Sequence, residues 1–505
     1  MNIDLKRRYP SEKNYINMQR KRHHLKLILL FTLFLFLTTL ISGCANSVAD
    51  SNQVANPNPT TTMPQSGSLE IVGRKQISSR LIDFTMKSSA LNFIVHTDVL
   101  LPSNYGENPT ERYPVIYLLH GGTAGPNTGL EYQQWITSGN AVALTAGLPV
   151  ICVLPEAGSG GWYTNWYNNG KGGSPEWETF HIHQLVPFID RTFRTIPNRN
   201  ERAIVGLSMG GYGSMEYASQ YPDIFGIAAS FSGAVDIAYP PSIAGPMATV
   251  IIGIMAKGDG GTPNSPFGSF QTNQIIWHGH DPTELVQNLS NTKLYLFTGN
   301  GTPGPLDTPA TINGFTTGIE KIVYLATLEM ELQLTKYHIP AYTDNYGPGT
   351  HSWAYWQRDF QEVLPMIMTD FSQDNTNKWP TEFTYKSIAN NYTQWGYTVS
   401  LNRKVLEFSK IHSFNKDKFE MSGSGTATVT TPAYFVPNST HRVTIKTDLN
   451  NSNLKPTTIN LNLTANSSGQ LIIQTDLGKS NTVTEYSKNW KQSDTKVYTA
   501  VVTIS

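Results

Sequence analysis

The chain has 505 residues, 39% of them hydrophobic and 15% charged, enough apolar material for roughly two folded domains. Lys plus Arg and Asp plus Glu both total 37, so no global field favours nucleic acid or a polyanionic substrate. Only two cysteines occur, Cys44 and Cys152, which excludes a disulfide-stapled scaffold.

Basic residues cluster at Arg20-Lys21-Arg22-His23-His24, an apolar run follows from Leu25 to Ile41, and small residues end it in Ser42-Gly43-Cys44. A basic start, a hydrophobic core and small residues at the cleavage point describe a secretory signal over residues 1–43. The Ser-Gly-Cys end resembles a bacterial lipobox, which implies lipidation at Cys44 and an extracytoplasmic protein lipid-anchored to the cell membrane. An uncleaved transmembrane helix is the alternative. Residues 44–67 are rich in Asn, Pro, Ser and Thr, a composition that cannot bury enough surface to fold and reads as a tether.

Pro114 to Leu119 reads as an apolar strand ending in His120-Gly121-Gly122, and Val150 to Leu154 as another, with Cys152 as a small buried hydrophobe. The stretch Ala203-Ile204-Val205-Gly206-Leu207-Ser208-Met209-Gly210-Gly211 then joins an apolar strand to a small-residue segment that can open a helix. Strand, sharp turn and helix around G-x-S-x-G form a nucleophile elbow, which makes Ser208 a candidate nucleophile. Such a serine needs a histidine base and a carboxylate, in the chain order Ser, acid, His. An oxyanion hole needs two backbone N–H groups; Met209, directly after the nucleophile, supplies one, and Gly122 is the expected second.

Among the later histidines, His278 and His280 have no third ligand at zinc-like spacing and read as loop residues, followed by a helix start at Asp281-Pro282-Thr283-Glu284. His351 stands in Gly349-Thr350-His351-Ser352-Trp353, before an expected closing helix from Tyr355 to Phe371, and is the candidate base. Two carboxylates follow the expected strand Lys293 to Thr298: Asp307, a few residues on, and Glu320, farther along. Near Asp374 to Asn377 helical spacing gives way to alternation, and short strands around residues 426–429, 441–445, 458–463 and 497–502 suggest a β-sandwich over 379–505. Trp395, Tyr397 and Trp490 in that region could stack on sugars, but core or rim positions are the preferred reading.

The motifs Asp98 to Pro102, Tyr117 to Gly122, Tyr163 to Tyr167, Trp177 to Phe180, Gly206 to Gly211, Gly299-Asn300-Gly301-Thr302-Pro303 and Thr350 to Trp356 resemble the esterase D and antigen 85 family of α/β-hydrolases, the antigen 85 mycolyltransferase branch more than the other. The resemblance covers about Leu69 to Thr369 and implies an acyl-serine enzyme. It also implies a glutamate acid between the Gly-Asn-Gly-Thr-Pro segment and the histidine, so Glu320 is preferred to Asp307. Antigen 85 enzymes carry an aspartate where this chain has His120, and Thr123 to Asn127 replaces their trehalose-holding stretch, so trehalose and mycolate are not implied.

The expected architecture is a doubly wound α/β-hydrolase domain over 68–373 followed by an all-β, sandwich-like domain over 379–505. The expected function is a serine esterase or acyltransferase with Ser208, Glu320 and His351 as triad and no cofactor or metal. Its substrate would be an ester or acyl-lipid, with water, a sugar or glycerol as acceptor, and the membrane would be reached through lipidated Cys44. The alternative is an inactive envelope-binding lipoprotein that keeps only the hydrolase fold.

Overall fold

The computed structural model describes residues 68–123, 125–238, 244–373, 379–448 and 457–505. The expected signal, Cys44, the tether and the boundary at Asp374 to Asn377 lie outside them. Residues Thr61–Ser505 form one compact unit.

Nine strands make the central sheet: β1 (Leu69–Gln76), β2 (Leu81–Ser88), β3 (Ile94–Leu100), β4 (Val115–Leu119), β5 (Ile151–Pro155), β6 (Arg202–Leu207), β7 (Ile227–Phe231), β8 (Lys293–Gly299) and β9 (Tyr342–Gly347). Their order is β1-β2-β3-β5-β4-β6-β7-β8-β9. The six strands from β5 to β9 in that order run parallel, while β1, β2 and β3 pair antiparallel and extend the sheet beyond β5. That antiparallel flank adds to the expected doubly wound architecture.

Strands β4 to β7 are buried along their whole length, the pattern of a parallel sheet covered on both faces. Alternate residues serve two cores: Val115, Tyr117 and Leu119 face one, while Ile116 and Leu118 face the other with Val205 and Leu207. Cys152 belongs to the second core, and burial pushes its thiol up to about 12.

The chain leaves β4 for β5 on one side and later returns to β6 on the other, so the strand order reverses at β4. Ligands in open α/β sheets bind at such a switch point, beyond the carboxyl ends of the strands. The loops leaving β4 and β6 there carry His120-Gly121-Gly122 and Ser208.

The principal helices are α1 (Met209–Gln220), α2 (Ala244–Gly258), α3 (Gln274–Gly279), α4 (Gly314–Lys336) and α5 (Trp353–Gln373). His278 therefore lies in a short helix rather than a loop, and its ring stacks on Tyr486 at 3.7 Å between centroids. Asp281 does not open an α-helix. Its two oxygens accept the N–H groups of Thr283 and Ala238, making a turn that leads only into a short 3-10 segment at Val286–Leu289. No helix among the described residues is long and apolar enough to cross a membrane.

Beyond α5 the described strands all pair antiparallel, in a six-stranded and a four-stranded sheet. The strand Tyr397–Asn402 alternates strictly between buried and exposed residues, and one core joins the two sheets. Trp395 and Tyr397 are buried in it, in line with the core reading, whereas Trp490 is half-buried against Tyr486.

This β region packs on the sheet-and-helix region. The Asn288 side chain accepts Lys386 N–H at 2.7 Å and donates to the Lys386 carbonyl at 2.9 Å, imitating one rung of a β-ladder. Tyr385 Oη and Gln394 Nε2 both donate to the carbonyl of Gln220, the last residue of α1. Asn288 is buried, so Asn288→Ala leaves Lys386 backbone groups without partners and should cost about 1–3 kcal/mol. Urea unfolding of the variant beside the parent measures it; a loss within about 0.5 kcal/mol, as at an ordinary surface site, would show that this rung is energetically idle.

Candidate active site

The backbone of Ser208 is strained, at φ 53° and ψ −118°. It is held there by the Ser208 N–H bond to the Phe231 carbonyl at 2.9 Å and by the start of α1, where Tyr212 N–H donates to the Ser208 carbonyl. The flanking glycines are required by contact. A Cβ on Gly206 would stand 2.0 Å from the Gly210 carbonyl oxygen, and one on Gly210 would stand 2.3 Å from that of Leu119. The G-x-S-x-G pattern is thus the sequence trace of β4, β6 and α1 meeting at closest approach.

His351 lies between β9 and α5, its N–H bonded to the Thr316 carbonyl at 3.2 Å. Its Nε2 is 2.9 Å from Ser208 Oγ, and its Nδ1 is 2.7 Å from Glu320 Oε2. The Trp356 ring meets the imidazole edge-on, 4.8 Å between centroids. Serine, histidine and glutamate, drawn from three separate elements, form one continuous hydrogen-bonded line.

Glu320 sits on α4 with no exposed surface. Its second oxygen, Oε1, accepts Ser232 Oγ at 2.8 Å, Gly299 N–H at 2.8 Å and Thr298 Oγ1 at 3.3 Å. A buried carboxylate is tolerated when its lone pairs are filled in this way. Asp307 is occupied elsewhere. Burial raises its pKa, but hydrogen bonds from Thr350, the Gly304 N–H, Tyr355 and Thr311 outweigh that and hold it below the ordinary carboxylate range. It therefore braces the residue before His351 instead of touching the imidazole.

Met209 and Gly122, the expected oxyanion donors, follow Ser208 and Gly121 in the chain. Met209 is the first residue of α1, where N–H groups lack intrahelical acceptors. Gly121 packs on the nucleophile, since a Cβ there would lie 3.5 Å from Ser208 Cβ, and Gly122 follows it, with Met255 Sδ of α2 at 2.7 Å from the Cβ position. A serine on a strained turn, in line with an imidazole and a buried carboxylate, is an arrangement chemically suited to nucleophilic acyl transfer.

Sequence reasoning did not single out Ser232, Thr298 or the Gly299 N–H as partners of the acid, nor Met255 beside Gly122. These residues are separated in sequence from the groups they touch, and no motif spacing marks them. His278 and His280 stay apart from the line: His280 Nδ1 pairs with Glu216 at 2.8 Å.

A family model described as a putative esterase matches residues 88–367. Esterase Rv1288 of Mycobacterium tuberculosis strain H37Rv is 31% identical over 283 residues, 56% of this chain and 58% of that protein. The chain thus spans less than two thirds of that relative. The diacylglycerol acyltransferase/mycolyltransferase Ag85C of Mycobacterium leprae is 30% identical over 274 residues, 52% of this chain and 76% of Ag85C. Among solved structures, MPT51 of Mycobacterium tuberculosis is 24% identical, covering 56% of this chain and 96% of that one, with a TM-score of 0.42. With the family model matched over more than half of its length, this chain belongs to the putative esterase family.

Proposed function

We propose that the chain is a serine carboxylic-ester hydrolase or acyltransferase working through a Ser208-His351-Glu320 triad. The observation that carries this reading is the placement of His351, 2.9 Å from Ser208 Oγ on one side and 2.7 Å from a buried carboxylate on the other.

In the first half-reaction Ser208 Oγ attacks the ester carbonyl carbon while His351 Nε2 takes its proton. The carbonyl oxygen becomes an oxyanion between the N–H groups of Gly122 and Met209. Glu320 keeps the Nδ1–H tautomer and stabilises the imidazolium. Collapse of the tetrahedral species breaks the bond to the alcohol oxygen, which leaves with the proton from His351, and the acyl group stays on Ser208. Water or a second hydroxyl then attacks the acyl carbon, giving its proton to His351; the bond from that carbon to Oγ breaks, Ser208 takes the proton back, and an acid or a new ester is released.

Both outcomes use the same residues, and the relatives' names carry both: Rv1288 is named an esterase, Ag85C a diacylglycerol acyltransferase/mycolyltransferase. The acceptor, whether water, a sugar or glycerol, is set by how well the pocket excludes water from the acyl-enzyme. The lipobox-like end at Cys44 supports an enzyme outside the cytoplasm, anchored through lipid on that cysteine. Residues 68–373 hold the chemistry, and 379–505 form an accessory β domain.

Ser208→Ala should lower kcat on a short p-nitrophenyl ester by roughly 10⁶-fold and abolish covalent labelling by a fluorophosphonate. A parent protein that neither labels nor turns over would instead be an inactive envelope-binding relative. Mass analysis of products, with and without sugar or glycerol, separates hydrolysis from transfer.

Glu320→Gln should reduce kcat by about 10⁴-fold, whereas Asp307→Asn leaves it within about tenfold, because only Glu320 meets the imidazole. The opposite ranking would move the acid to Asp307. For the anchor, Cys44→Ser should shift the protein out of the detergent phase in phase-partition assays, since stable anchoring requires the added acyl chains. Unchanged partitioning would mean that the apolar run itself holds the membrane.

A further inference from the structure

One fully buried imidazole at the end of β4 has no part in the proton transfers above. His120 follows Leu119 directly and has no exposed surface. Ala157 N–H donates to its Nε2 at 2.9 Å, and its Nδ1 lies 2.9 Å from the Gly121 carbonyl oxygen. The Gly121 carbonyl oxygen can only accept, so Nδ1 carries a proton and donates to it. Burial disfavours a charge on this ring, while Glu156, 3.5 Å from Nε2, favours one and raises its pKa above the ordinary histidine value. The neutral Nδ1–H form and the imidazolium both keep the bond to Gly121, since Ala157 N–H also has Glu156 Oε1 as acceptor; the Nε2–H tautomer alone loses it.

The ring is fixed by its surroundings. Glu156 Oε1 also takes the N–H groups of Ala157 at 3.2 Å and Gly158 at 2.8 Å, shaping the loop after β5, which Ala157 N–H joins to His120 after β4. Tyr163 Oη donates to the His120 carbonyl at 2.9 Å.

The bond to Gly121 acts on the next group in the chain. The peptide joining Gly121 to Gly122 is trans, and in a trans peptide the C=O and the following N–H point in opposite directions. Holding the Gly121 carbonyl toward the imidazole therefore turns the Gly122 N–H away from it. Gly121 itself lies against Ser208.

We propose that His120 is a positioning residue for the oxyanion hole: through its Nδ1–H it holds the Gly121 carbonyl and so aims the Gly122 N–H at the oxygen of an ester bound to Ser208. The inference rests on the acyl-serine reading of the site. A misdirected donor would weaken binding of the oxyanion more than that of the ground-state carbonyl, so the effect falls on kcat.

The test uses two substitutions in the full chain with different geometry. In His120→Asn the side-chain amide reaches about as far as Nδ1, keeping a donor for Gly121. In His120→Gln it reaches about as far as Nε2, keeping only an acceptor for Ala157. On a short p-nitrophenyl ester, His120→Gln should lose about 10²-fold in kcat with KM nearly unchanged, while His120→Asn retains most of it. Equal losses in two variants that melt like the parent would overturn the proposal, as would a loss confined to KM.

Nitrogen-15 NMR of the parent protein supplies a readout that needs no variant to fold. A proton on Nδ1 is expected; a ring protonated on Nε2 alone refutes the role. Ser208→Ala in the same assay separates the two readings. An active Ser208→Ala protein would refute the acyl-serine reading, whereas an inactive one beside equal Asn and Gln losses would refute only the role of His120.

Discussion

A serine at φ 53° and ψ −118° persists only because three backbone segments close on one another around it. Such a conformation costs on the order of 1–3 kcal/mol, which the surrounding packing must offset. Here Gly206 and Gly210 let β6, α1 and the end of β4 come into contact, and the Ser208 N–H is tied to β7. The four parallel strands from β5 to β7 are buried on both faces, so the strained turn rises from the most deeply buried part of the sheet. Everything else in the site is arranged around a hydroxyl whose position is already fixed.

The second constraint is the burial of a carboxylate. Placing Glu320 in the interior costs several kcal/mol unless its oxygens are filled, and a half-filled site would be worse than an apolar one. Ser232 after β7, Thr298 and Gly299 at the end of β8, and His351 after β9 together supply the donors. Three successive strand ends thus converge on one side chain of α4. The imidazole inherits its orientation from that convergence, with Asp307 bracing Thr350 and Trp356 standing against the ring.

Ser208 was legible in the sequence because the constraint on it is local: glycines two residues to either side are needed for contact, and contact leaves a pattern. His351 was legible by order and by its place before a closing helix. Glu320 was harder. It falls on the buried face of α4 in step with Val323, Thr327, Met330 and Leu334, but Glu331 is buried on that helix too, so helical phase alone does not choose between them. Preference for it came from resemblance, and the distance to His351 from the fold. The partners of Glu320 come from separate strands and left no spacing to read. Asp281 misled as a helix start because an aspartate that caps a turn has the same local chemistry as one that caps a helix, and only the contact with Ala238 distinguishes them.

The β region meets the nucleophile helix at the end farthest from the serine. Gln220 closes α1, a helix of 12 residues and so about 18 Å long, and its carbonyl, one of those a helix leaves without an internal partner, accepts Tyr385 and Gln394. Arg199, just before β6, lies under Trp395 at 5.0 Å, and Ile275, Leu285 and Phe408 close an apolar contact between the two regions. These contacts steady the base of the strand-turn-helix unit that carries Ser208 without lining the space above it. Changes at this interface are therefore felt first in stability, and reach the chemistry only if α1 itself shifts.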